Sequence, residues 1–352
     1  MDLTYLIYLS SGLFLGWSLG ANDASNVFGT AVGSKMVRFS TMALISSVFI
    51  IIGAVYGGEG TSETLGELGK VDTIAGSFMA ALSAAISIYW MSKAGISVST
   101  SQAIVGGIIG WNLYSGNPTS TETLLKICST WTLCPVIAGV FAVVLYYLVK
   151  KTLKCSCIHL LMQDQITRIG LIVTAAFCAY ALGANNIANV VGVFIKSCPF
   201  KPLNITEYLT LSPQQVLFLL GAISISVGIF TYSHKVIKTI GNSLMKITPV
   251  IAWIVVLAQA LVLILFSSTA LHNWLIAHSL PTIPLVPVSS TQAVIGAILG
   301  IGLAKGGRGI NWSIAGKIIV GWIASPVLAL LICYISLFFL ENVFNQTVYI
   351  AS

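Results

Sequence analysis

Charged side chains are scarce in this sequence. Asp, Glu, Lys and Arg make up 8% of its 352 residues, about a third of the roughly 25% found in soluble globular domains. So few charges cannot cover a water-facing surface, which excludes an ordinary soluble enzyme, a nucleic-acid-binding domain and a disordered chain. Acids are the scarcer sign, 10 against 17 bases. The four histidines form no H-E-x-x-H pattern and no paired-carboxylate arrangement is visible, so no enzyme activity is expected. The seven cysteines are scattered and odd in number. Cys155 and Cys157, with a lone His159 nearby, fall short of the four ligands that structural zinc takes. No basic stretch precedes the first apolar run, so a cleavable signal peptide is not expected.

Apolar residues fill the space that charge leaves. They make up 57% of the chain, and the mean hydropathy is +0.95. The apolar runs last about 20 residues, the length a helix needs to cross a bilayer and too long for the strands of a membrane barrel. The expected class is an all-α polytopic membrane protein. About ten candidate segments follow from the runs and their polar breaks: 3–34, 39–57, 72–92, 95–114, 126–149, 167–195, 213–231, 248–271, 286–304 and 313–340. The fourth and ninth are rich in Gly and Ser, which suits broken or re-entrant segments.

Placing the loops alternately on two sides sorts the bases unevenly. One side collects 13 Lys and Arg; the other collects 4, namely Lys70, Lys126, Lys196 and Lys201. The basic side is expected to be cytoplasmic, which puts both termini outside the cell membrane. The acidic loop with Glu59, Glu63 and Glu67 also falls outside. Lys305-Gly306-Gly307-Arg308-Gly309 lacks the ending of a phosphate-binding P-loop and reads as a basic cytoplasmic turn.

The chain also repeats itself. Gly20-Ala21-Asn22-Asp23-Ala24-Ser25-Asn26 matches Gly183-Ala184-Asn185-Asn186-Ile187-Ala188-Asn189 at an offset of 163. Val98-Ser99-Thr100-Ser101-Gln102-Ala103 matches Val288-Ser289-Ser290-Thr291-Gln292-Ala293 at an offset of 190, and Trp131 with Pro135 matches Trp322 with Pro326 at 191. The growing offset requires an insertion between the second pair of motifs, and the proline-bearing stretch 196–212 is one place for part of it. The halves are 1–150 and 166–352, joined by a basic linker at 151–165. Five segments in each half give the second half inverted topology, the plan of secondary transporters with a site at the repeat interface.

Polar residues inside such spans cost free energy unless they work or pair. Asp23 is the one acid placed well inside a span, flanked by Asn22 and Asn26, which share a helix face. An acid among amide and backbone oxygens suits Na⁺ at Asp23, or H⁺; a structural cap is the alternative. Each Ser/Thr-Gln motif follows a non-helical approach and opens a Gly-rich helix. Hydroxyls there cap helices, and two helix N-termini converging from the two halves would also cradle a tetrahedral anion.

The paired G-A-N-[DN] motifs, the paired S-[ST]-[ST]-Q-A motifs, the W-x-x-x-P pair and Lys305–Trp312 resemble the inorganic phosphate transporter (PiT) family over nearly the whole chain. The resemblance implies symport of inorganic phosphate with Na⁺ or H⁺. Carried over residue by residue, it implies substrate contacts from Asn22, Asn26, Ser99, Thr100, Ser101, Gln102, Asn185, Asn189, Ser289, Ser290, Thr291 and Gln292. Coupling-ion contacts would come from Asp23, Asn22 and Asn186. The family usually carries Asp in both G-A-N-D copies; here the second is Asn186, which points to a lower ion stoichiometry or a neutral ligand. Na⁺ is preferred as coupling ion, no other cofactor is expected, and the expected partners are phosphate, the cation, the bilayer and, as an open assembly, a second copy of the chain. A sulfate permease of the same fold and, in another class, a passive anion channel remain the alternatives.

Overall fold

The computed structural model describes residues 3–33, 35–69, 71–94, 96, 98–155, 159–206, 209–234, 237, 244–245, 247–307 and 309–350. Lys70, Gly95, Cys157 and Arg308, used above, lie outside the described residues.

The described chain is helical apart from one small hairpin. The first half holds α1 (Leu3–Gly33), α2 (Phe39–Gly57), α3 (Glu59–Leu68), α4 (Ile74–Lys93), α5 (Thr100–Ser115) and α6 (Thr121–Cys155). The second holds α7 (Leu160–Val191), α8 (Pro213–Gly228), α9 (Pro249–Leu265), α10 (Thr269–Ala277), α11 (Ser290–Ala304) and α12 (Trp312–Asn342). The hairpin pairs β1 (Leu203–Thr206) antiparallel with β2 (Leu209–Leu211), Leu203 opposite Leu211. It lies in the proline-bearing stretch where the insertion was expected.

Among the described residues six helices, α2, α4, α6, α7 with its short continuation to Phe194, α8 with its continuation to Ser233, and α12, are long and apolar enough to cross a membrane. The pair α9 and α10, bent by 58° at the break between them, makes a seventh. Of the ten segments read from the sequence, three are outside this set: α1, which carries the polar Asn22–Asn26 run, and α5 and α11, which are 16 and 15 residues long. The fourth and ninth segments are therefore short helices entered from non-helical chain, and the eighth is broken. The acidic stretch read as a loop forms α3 instead. Its Leu65 and Leu68 are buried, and the Thr61 hydroxyl lies 3.2 Å from the Ala184 carbonyl, which ties α3 to α7. α6 runs to Cys155 and α7 starts at Leu160, so both helices reach into the stretch 151–165 read as the basic linker.

Helix packing has a reciprocal pattern. α2 packs along α7 and α8 along α1; α12 packs on α5 and α6 on α11; α4 lies against α1 and α12, and α9 against α7 and α6. Exchanging the members of the two halves turns each of these contacts into another. The motif glycines follow the same pattern. A Cβ on Gly20 would overlap the Ile225 carbonyl, and one on Gly183 the Ile50 carbonyl. A Cβ on Gly106 would overlap the Pro326 carbonyl, and one on Gly296 the Pro135 carbonyl. Glycine at these four places lets backbones touch, which is how helices associate where lipid removes the hydrophobic drive.

Candidate functional site

The Ser/Thr-Gln motifs start α5 and α11. Ser99 and Ser289 are the caps: their hydroxyls accept from the backbone N–H of Gln102 at 3.3 Å and Gln292 at 3.2 Å. This is the ordinary structural use of such residues, and it leaves the following hydroxyls free to point elsewhere. Thr100, Ser101, Ser290 and Thr291 are all buried.

Those hydroxyls meet the G-A-N motifs. Asp23 on α1 is 2% exposed. Thr100 donates to its Oδ2 at 3.0 Å, and Thr291, from the other half, lies 3.2 Å from its Oδ1. Asn26 Nδ2 in turn lies 3.4 Å from the Thr291 hydroxyl. The mirror arrangement sits around α7. Ser101 lies 3.3 Å from Asn186 Oδ1, and Asn189 Nδ2 donates to the Ser101 hydroxyl at 2.9 Å. The crossing extends to backbone: Ser101 lies 3.2 Å from the Val288 carbonyl, and Thr291 lies 3.2 Å from the Val98 carbonyl. Each hydroxyl has one proton, so it bonds its carboxylate or amide oxygen and the facing carbonyl alternately.

The two centres differ in charge. Asp23 is an acid held by neutral hydroxyls, and among the described residues the one ion pair is the distant Lys126–Glu122. Asn186 is an amide whose Oδ1 also accepts from Asn189 at 2.9 Å, while its Nδ2 is buried without a partner. Asn189 Oδ1, Gln102 Oε1 and Gln292 Oε1 are likewise buried and unpartnered. A buried polar atom without a partner costs about 1–3 kcal/mol, and all four belong to motif residues of the two halves.

Two predicted residues hydrogen-bond to groups other than the crossing hydroxyls. Asn185 clamps the approach to α11, donating to the Val286 carbonyl at 3.1 Å and accepting from the Val288 N–H at 2.8 Å. Asn22 donates to Ser92 near the end of α4 at 2.9 Å. Ser92 carries no sequence signal that would have singled it out, and neither does Cys134, whose thiol reaches the Ser289 carbonyl.

The described residues contain no group of three His, Cys, Asp or Glu able to hold a metal ion. What the crossing offers instead is one carboxylate, hydroxyls from two helix N-termini and amides. That set can hold a monovalent cation beside a hydrogen-bonded anion.

The profile of the Phosphate transporter family matches residues 19–165, 159–272 and 274–351. Two proteins named "Putative phosphate permease" are similar along most of their length. The one from Methanocaldococcus jannaschii is 28% identical over 335 residues, covering 95% of this chain and 97% of that one. The one from Pyrococcus furiosus is 24% identical over 397 residues, covering 91% and 92%. The fold is similar to that of a solved structure described as the sodium-dependent phosphate transporter, with a TM-score of 0.77 at 22% identity over 96% of this chain and 99% of the other.

Proposed function

Since the chain belongs to the phosphate transporter family, we propose that it is a symporter that carries inorganic phosphate across the cell membrane together with Na⁺. The observation that carries the coupling is Asp23. A buried carboxylate held only by neutral groups is expensive in a low-dielectric interior. A cation beside it removes that cost and at the same time favours an anion within reach of the same hydroxyls. Oxygen ligands from Asp23, Thr100 and Thr291 suit Na⁺, and the name of the structural neighbour supports the same ion. With Asn186 at the mirror position, the chain has one acidic ion centre where a symmetric protein would have two.

Phosphate is favoured over sulfate by the unpartnered oxygens. Gln102 Oε1, Gln292 Oε1 and Asn189 Oδ1 are acceptors. Phosphate near neutral pH carries P–OH groups that can donate to them, whereas sulfate has no proton to give. Ser290, whose hydroxyl has no partner among the described residues, supplies a donor to a remaining oxygen, and Thr100 and Thr291 can turn their protons to the anion once a cation takes over the Asp23 carboxylate; the nearby helix N-termini favour negative charge.

The reciprocal packing and the four motif glycines support reading the halves as inverted-topology repeats with about ten segments, including the short α5 and α11. Alternating access would then exchange the two crossed hydroxyl contacts. Labelled phosphate uptake with excess unlabelled sulfate tests the substrate. Uptake insensitive to sulfate is expected, and equal competition at pH 6 and pH 8 would transfer the reading to a sulfate permease.

A further inference from the structure

Gln259 is the one amide side chain in α9, a helix otherwise built of apolar residues. It is fully buried, yet neither its Nε2 nor its Oε1 has a partner among the described residues. A Leu or Met would fill the same space without leaving a donor and an acceptor unpaired. The helix therefore carries a cost that its packing does not explain.

The neighbours say where this amide lies. Leu263, four residues further on and on the same face, gives its carbonyl to Asn185 Nδ2 at 3.4 Å. Gln259 is thus on the face of α9 turned toward α7, about 6 Å along the axis from the Asn185 contact. A Cβ on Gly170 would run into the Trp253 ring, so α7 and α9 run in the same direction. Gln259 lies on the side of their N-terminal ends, the predicted cytoplasmic side of the crossing.

We propose that Gln259 is a second contact for the protonated oxyanion, made when α7 and α9 part on the cytoplasmic side. The proposal rests on the phosphate reading above. Nε2 donates to an anion oxygen and Oε1 accepts from a P–OH group, so hydrogen phosphate satisfies both atoms at once. A bare cation would satisfy Oε1 alone and would face the positive end of the amide. With α7 and α9 packed together, as in this structure, the same two atoms are unpaired, which eases their parting.

Two variants in proteoliposomes test this. Gln259→Met keeps the volume and removes both polar atoms; Gln259→Asn keeps them on a shorter stem. The Met variant is expected to melt at the same temperature as the unmodified protein or higher. Its half-saturation for external phosphate should stay within about twofold, while turnover falls about tenfold. The Asn variant should recover part of that turnover. A Met variant that transports like the unmodified protein overturns the proposal, as does a melting temperature that falls together with turnover, which marks a structural role. Failure of the unmodified protein to take up phosphate at all would instead remove the phosphate reading and this proposal with it.

Discussion

The Thr291 hydroxyl lies 3.2 Å from the Asp23 carboxylate, although the two residues sit in opposite halves of the chain. Its counterpart Ser101 stands in the same relation to Asn186 at 3.3 Å. Each half thus closes on the acid or amide of the other, and the two closures differ by one negative charge. That asymmetry is where ion coupling should be decided.

Asp23→Asn removes the charge and keeps the shape. Hydrogen bonds to a charged group contribute about 1.5–3 kcal/mol, so Na⁺ dependence of uptake should weaken about tenfold or more. Uptake measured against external Na⁺ reads this directly. Unchanged Na⁺ dependence would show that Asp23 is not the coupling site.

Asn186→Asp restores the acid at the mirror position. The Na⁺ dependence is expected to become steeper, with a higher Hill coefficient. Phosphate affinity at low Na⁺ should fall, because two carboxylates then face the anion. A variant whose Hill coefficient matches the unmodified protein would mean that the second centre does not take a cation.

Gly296→Val and Gly106→Val each push a side chain into a proline carbonyl, of Pro135 and Pro326 respectively. Overpacking of this kind costs about 1–3 kcal/mol, which a lower melting temperature in detergent should report for both. Gly316→Ala, where an added Cβ meets nothing within 4 Å, is the matched control and should be neutral or slightly stabilising in its helix.

The basic loops predict a sidedness that labelling can test. Glu63 and Lys154 are exposed and can report it. With the exposed Cys155 first replaced by Ser, Glu63→Cys should react with an impermeant thiol reagent from outside, and Lys154→Cys only after the membrane is opened. Labelling of Lys154→Cys in intact cells would invert the topology.

Much of the candidate site's membership could be read from the sequence because polar residues recur in order within apolar stretches. Asp23, Thr100, Ser101, Asn186, Asn189 and Thr291 do converge. What could not be read is the crossing itself, since spacing along one helix carries no information about which helix it meets. Asn185 matched the motif yet holds backbone at Val286 and Val288. Gln259 belongs to no repeat and was invisible until its burial was known. The helix α3 was missed because its charged face dominates a ten-residue segment whose two buried leucines are too few to set a period.

Symport requires coupled, uphill movement of phosphate. The most direct measurement is labelled phosphate accumulation in proteoliposomes under an inward Na⁺ gradient, with an inward H⁺ gradient as the parallel arm. Accumulation above the external concentration is expected under Na⁺, abolished by collapsing the gradient and weakened in Asp23→Asn. Equilibration without accumulation under either gradient would contradict it and point to a passive anion pathway, and accumulation under H⁺ alone would contradict the assignment of Na⁺.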